Sequence, residues 1–377
     1  MALVVLIWAL AACAEFPQPP VQGFQPNPPL GAGPEPTPQL PGPPTPGAAP
    51  STGAAPGSTP PPGPCQDRDP AVVATCLDTT GGIAVLPDGA SALVTERRTG
   101  RLLRVTPAAV PQLVDTLVVD GVGDGGLLDV ALSPTWAEDQ LLYLYLTTPT
   151  DNRVVRLSPR DAPKPILTSI PRGPLGNTGS IAFDSRGNLL VATGAAGDSG
   201  AAANPASLSG KLLRVDPEGR PAAGNPVAGS AVLATDVPSP GGVCTDTRTG
   251  TSWLTDHTPG ADRLRAVLPD AGLGPAVWTW PERPGTAGCA ARDGQVAVSL
   301  TSGAALYLLS TSPAGAVVAA PTVLAKDTYG RLSGADVGPD GVVWVGTVNK
   351  DGGTPVATDD RVVRIPTPAG QGGVSPA

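Results

Sequence analysis

The chain is poor in the residues that build metal centres and nucleic-acid grips. Its 377 residues hold one histidine, His257, four lysines, and aromatics at only 3%. A lone histidine excludes multi-histidine metal centres. Twenty-four Lys and Arg against 32 Asp and Glu leave a formal charge of −8. That gives no basic footprint to offset phosphate charge, so nucleic acid is excluded as a partner. No CxxC spacing occurs, which argues against zinc and thioredoxin-type readings. A Walker loop, a GxGxxG after a strand and an EF-hand calcium loop are all missing. No stretch keeps helical periodicity over twelve residues. The opening apolar run, Met1–Ala12, is too short to span a bilayer.

That run ends in Leu10-Ala11-Ala12-Cys13, small residues before a cysteine, as in a bacterial lipobox. The pattern predicts a lipoprotein signal peptide over 1–13, with Cys13 carrying lipid and the protein exported and anchored to the outer face of the cell membrane. No Lys or Arg precedes the run, a departure from the usual basic start of a signal peptide. Residues 14–64 hold 19 of the 48 prolines and only two charged groups, Glu15 and Glu35. They predict a disordered Pro-rich linker, extended at roughly 3.1 Å per residue and able to reach on the order of 150 Å. With Cys13 acylated, four cysteines remain, an even number in an exported chain, which suggests two disulfides. Cys65 and Cys76 lie close in sequence and would staple the entry loop of the domain. Cys244 and Cys289 would then join distant segments.

From Cys65 onward the chain repeats itself. A unit made of a glycine, an apolar strand, a turn, a second strand ending near Thr and a third closing on Arg begins at Gly81, Gly125, Gly179, Gly241, Gly288 and Ser333. Successive starts differ by 44, 54, 62, 47 and 45 residues. Short alternating strands joined by Pro-Asp-Gly or Arg-Gly turns read as antiparallel hairpins. At roughly 40–55 residues per unit, that is the period of a β-propeller blade. The sequence therefore predicts an all-β, six-bladed β-propeller over 65–366 and a flexible tail over 367–377. Inner strands of neighbouring blades converge on the axis, so Cys244 and Cys289, in adjacent units, are placed to bond.

The motifs LVTER at Leu93–Arg97, GDGGLLDVALSP at Gly123–Pro134, SLSGKLLRVDPEG at Ser207–Gly219, TDH at Thr255–His257 and GPDG at Gly338–Gly341 resemble the glucose/sorbosone dehydrogenase family over about Gly81–Ile365. The resemblance implies a soluble six-bladed propeller using pyrroloquinoline quinone (PQQ) and calcium to oxidise aldoses. It also implies a catalytic histidine in an HNGG motif, and here that stretch reads Gly176-Asn177-Thr178-Gly179, with Gly176 at the base position. An arginine that faces the quinone carboxylates is replaced by Pro238. Of a further Arg-x-Arg pair only Arg331 survives, Ser333 standing at the second place. Loss of a general base typically costs ~10²–10⁴-fold in rate.

These departures predict a non-catalytic module that binds a sugar, another polar small molecule or an envelope protein, and is monomeric. The alternative is a sugar dehydrogenase using PQQ and calcium or another cofactor. Loops entering the inner strands would ring the mouth of the central channel with Asp124, Asn177, Thr178 and Arg331. Glu96, Arg97, Asp256 and His257 follow second strands near the same end. His257 reads either as a pocket acid–base group or as a half-buried ring bonded to a loop carbonyl. Gly197-Asp198-Ser199-Gly200 looks like a trypsin-type serine motif, but the only histidine lies downstream of it, the wrong order for that fold.

Overall fold

The computed structural model describes residues 65–159 and 161–368. Cys13, the signal segment and the linker lie outside the described residues, as does most of the expected tail. Thr367 belongs to the packed body, its hydroxyl donating to the Gly341 carbonyl at 3.0 Å.

Six four-stranded antiparallel sheets form the blades. A short strand β1 (Val72–Ala74) precedes the first blade, which holds β2 (Thr80–Val85), β3 (Ala92–Glu96), β4 (Arg101–Val105) and β5 (Gln112–Thr116). The second blade has β6 (Leu127–Leu132), β7 (Leu142–Thr147), β8 (Asn152–Leu157) and β9 (Lys164–Ile170). The third has β10 (Gly179–Phe183), β11 (Leu189–Thr193), β12 (Lys211–Val215) and β13 (Val232–Ala234). The fourth has β14 (Pro240–Asp246), β15 (Thr251–His257), β16 (Asp262–Leu268) and β17 (Gly272–Trp280). The fifth has β18 (Thr286–Arg292), β19 (Gln295–Leu300), β20 (Ala305–Ser310) and β21 (Thr322–Leu324). The sixth supplies only β22 (Leu332–Val337), β23 (Val343–Thr347) and β24 (Val362–Ile365), and β1 adds to its outer edge.

This circular closure changes the meaning of the first disulfide. Cys65–Cys76, Cα atoms 5.4 Å apart, brackets β1 rather than a free entry loop. Val72 pairs with Val363 of β24, and Arg361 reaches Asp67 at 3.3 Å. The staple thus secures the seam of the ring. Cys244–Cys289, with Cα atoms 5.6 Å apart, ties β14 to β18.

Strand faces explain the core. One apolar cluster sits at every blade interface; Leu93 and Leu102 of the first blade meet Leu127 and Leu144 of the second, while Trp344 of the sixth meets Ile83 and Val94 of the first. Because blades pack on both sides, β3, β7, β11 and β23 are buried along their whole length. Up to their polar last residues they are apolar on both faces rather than the alternating strands the sequence suggested, since neither face meets water. Where neighbouring inner strands touch, some positions have no room for a side chain: a Cβ on Gly288 would lie 2.5 Å from the Ala335 nitrogen, and one on Gly334 2.2 Å from the Gly81 carbonyl oxygen. Glycine in these inner strands is a requirement of close approach. The two helices, α1 (Trp136–Asp139) and α2 (Ser199–Ala203), are single turns in loops. Asp198 of the GDSG segment caps α2, its carboxylate accepting from Ala201 N–H at 3.1 Å, so this segment is helix-capping chemistry.

Candidate functional site at the mouth of the central channel

A cavity of about 710 Å³ follows the axis and touches the inner strands of all six blades. At the end where those strands begin, Arg97, Asp124, Thr178, His257 and Arg331 line it. These five of the eight sequence candidates share one site.

Glu96, Asn177 and Asp256 do not line it, and each is consumed by the scaffold. Glu96 is fully buried; its carboxylate accepts from Arg101 Nε at 2.6 Å and Nη2 at 2.8 Å, from Thr99 Oγ1 at 2.6 Å and from Asp78 N–H at 3.0 Å. Asp256 is equally buried and is gripped by Arg263 through Nε at 3.0 Å and Nη2 at 2.8 Å. Asn177 exchanges hydrogen bonds with both backbone groups of Gly173, Oδ1 accepting at 2.9 Å and Nδ2 donating at 2.8 Å. Such fully matched buried polar groups rigidify loops.

The remaining mouth residues differ in how committed they are. Arg97 is nearly buried and donates from Nη1 to the Gly123 and Gly125 carbonyls, both at 2.8 Å, while Nη2 meets Asp351 at 2.6 Å. Asp351 also holds Arg98 at 2.9 Å, which fastens the loop after β23 across to the first blade. Asp124 accepts from Gly176 N–H at 2.7 Å and Asn177 N–H at 3.1 Å, so its carboxylate serves the loop before β10. Arg331 stands apart: its Nε is buried with no hydrogen-bond partner.

His257 is not bonded to a loop carbonyl through its ring. Its Nδ1 lies 2.9 Å from Asp262 Oδ1. A carboxylate only accepts, so Nδ1 carries a proton, and in the neutral ring Nε2 is then the acceptor. Asp262 is fully buried, and its other oxygen accepts from Gly285 N–H at 2.7 Å and Thr286 N–H at 3.2 Å. The ring, 27% exposed, is thus fixed in orientation from behind.

Deeper in the channel two acids line the wall. Burial pushes the Asp129 carboxyl up to about 6, against the opposing effect of bonds from Ser180 Oγ and Ile181 N–H. Asp336 is also raised to about 6 by burial, although Val85 N–H donates to it at 2.7 Å. Among the described residues no group of three or more His, Cys, Asp or Glu side chains is arranged to hold a metal ion.

Asp262, Asp351, Thr79 and Thr286 were missed by sequence reasoning. The signal was present for the threonines: Thr79 and Thr178 both directly precede an inner strand and Thr286 opens one. Asp262 lies only five residues beyond His257, on the strand that pairs with it.

Known proteins share this fold. The Glucose / Sorbosone dehydrogenase family matches residues 77–287, and the chain belongs to that family. The PQQ-bound aldose sugar dehydrogenase of Streptomyces coelicolor is 31% identical, with a TM-score of 0.71 over 78% of this chain and 95% of that one. Aldose sugar dehydrogenase YliI of Escherichia coli K12 is 27% identical over 231 residues, 54% of this chain but only 60% of its own length. The soluble aldose sugar dehydrogenase structure from Escherichia coli, at 20% identity and a TM-score of 0.66, shares the fold.

Proposed function

We propose that this chain is a non-redox, ligand-binding propeller of the glucose/sorbosone dehydrogenase family. In this reading it is held at the outer face of the cell membrane through lipid on Cys13 and spaced from it by residues 14–64. The observation that carries the reading is Gly176, which stands at the family's catalytic-base position. Its φ of +78° favours glycine, and a Cβ there would lie 2.8 Å from the Gly197 nitrogen and 3.0 Å from that of Ala196. Its N–H is already given to Asp124. A histidine at this position would have to displace the 194–197 loop.

The residues present do not fit PQQ. A tricarboxylate needs several cations converging on it. Arg97 is spent on Asp351, which leaves Arg331 as the one mouth arginine free of a carboxylate, while Asp124 and Asp351 line the same cavity. Ser333, where the family keeps a second arginine, bonds instead to Thr80 Oγ1 at 2.8 Å. No step through the quinone is therefore derived. The lipobox, the Pro-rich stretch and the altered propeller together resemble the actinobacterial lipoprotein LppZ.

A second reading, an aldose dehydrogenase, is favoured by the 31% identity to a PQQ-bound relative. The two are separated by titrating the purified chain with PQQ and calcium, following absorbance, thermal shift and dye reduction with glucose. The binding-module reading expects no PQQ binding at micromolar concentration and no dye reduction. PQQ-dependent aldose oxidation abolished by Arg331→Ala would overturn it.

A further inference from the structure

Four of the six blades bring to the mouth a polar side-chain atom that no group among the described residues satisfies. Thr79 Oγ1, Thr178 Oγ1, Thr286 Oγ1 and Arg331 Nε are buried and lack a hydrogen-bond partner, and all four residues line the cavity. Thr79 and Thr286 are each 1% exposed. Native proteins leave few buried polar atoms unmatched, and each one calls for an explanation, a bound water or ligand among them. Their placement is regular: Thr79, Thr178 and Arg331 each immediately precede an inner strand, and Thr286 is the first residue of one. His257 adds a fifth group at the same end, an imidazole whose Nδ1 is taken by Asp262 and whose Nε2 accepts.

Charge narrows the ligand further. Arg97 and Asp351 cancel at 2.6 Å. Asp124 is turned onto the N–H groups of Gly176 and Asn177. Among the described residues Arg331 is the one arginine lining the mouth with no carboxylate in salt-bridge range, the Asp129 and Asp336 carboxyls lying deeper in the channel, so at the mouth a single anionic group is matched and several are not. Three hydroxyls, one guanidinium and one oriented acceptor suit a molecule with many hydroxyls and one negative charge.

We propose that the mouth binds a sugar carrying one anionic group, a carboxylate or a phosphate. Arg331 faces the anion, the threonine hydroxyls exchange hydrogen bonds with the sugar, and His257 Nε2 accepts from a sugar hydroxyl. This inference rests on reading the mouth as a non-redox ligand site.

The test is calorimetric titration of the purified full chain with glucuronate, glucose 6-phosphate, glucose and inorganic phosphate, for the wild type, Arg331→Met and His257→Gln. A charge-assisted guanidinium contact predicts at least tenfold tighter binding of one anionic sugar than of glucose. Arg331→Met should bring that sugar down to the glucose level, whereas His257→Gln should weaken every sugar. Which anionic sugar binds tells carboxylate from phosphate. Because His257 is the only histidine, its imidazole nitrogens give one set of ¹⁵N signals, and Nε2 should shift with the bound sugar but not with inorganic phosphate. Equal binding of glucose and both anionic sugars overturns the proposal, as does an Arg331→Met variant that keeps its affinity, or no binding in any arm. Phosphate binding as tight as glucose 6-phosphate shows a bare anion site and also overturns it. Dye reduction with PQQ on the same preparation reports separately on the non-redox reading.

Discussion

Replacing Asp262 by alanine probes how the corner between the fourth and fifth blades is built. The carboxylate holds three donors: His257 Nδ1, Gly285 N–H and Thr286 N–H. The two backbone donors sit where the chain enters β18, and Thr286 is 1% exposed. Each buried donor left without an acceptor costs about 1–3 kcal/mol, while the partly exposed ring reaches water when released. Removing the buried charge offsets part of this, so the net destabilisation should be about 2–4 kcal/mol. His257→Ala strips only one of the three bonds and should cost about 1 kcal/mol or less. The double variant should then be no less stable than Asp262→Ala by more than a few tenths of a kcal/mol, since the ring contributes nothing once its partner is gone. Urea unfolding followed by tryptophan fluorescence, with disulfides intact, measures all three. If Asp262→Ala costs no more than His257→Ala, the carboxylate is not the tie between blades and the account of the corner fails.

Asp129, Asp336 and Asp360 all have carboxyls raised to about 6 by burial, above an unfolded value near 3.8. Between those values the folded chain holds more protons than the unfolded one, so stability should fall as pH rises from about 4 to about 6 and level off beyond. Unfolding free energies that climb steadily across that interval would contradict the burial argument. Replacing Cys65 and Cys76 by serine removes an 11-residue cross-link, worth roughly 3 kcal/mol in the chain-entropy account. Hydrogen exchange should accelerate at Val72–Ala74 and Val362–Ile365 and stay slow in the fourth and fifth blades; uniform acceleration would mean the seam is not where the ring opens. For the anchor, Cys13→Ala should move the protein from the membrane to the soluble fraction, and unchanged detergent partitioning would rule out lipidation at this position.

The fold was legible because a propeller writes its period into the chain. Six units, five led by glycine and one by Ser333-Gly334, fall at six inner strands, since each inner strand needs small residues where blades crowd together, as Gly288 and Gly334 do. The Cys244–Cys289 pairing followed from the same convergence. The closing strand was hidden, because three residues of β1 carry no signal of their own and take their meaning from the unpaired edge of β24. The site was only half legible, and burial is the reason. Glu96, Asp256 and Asn177 have the residue types of a polar pocket, but local sequence does not say that Arg101, Arg263 and Gly173 will claim them first. The reverse error concerns Thr79 and Thr286: their places at the starts of inner strands were legible, but only the ring shows their hydroxyls buried and unmatched. Arg331 was visible to both approaches, as the arginine retained from the resemblance and as the cation without a partner. Its Nε is buried with no acceptor among the described residues, and a buried donor left unmatched is costly to the fold. Its presence beside loops as fully bonded as those of Asp124 and Asn177 therefore argues that the cost is met by what the mouth binds.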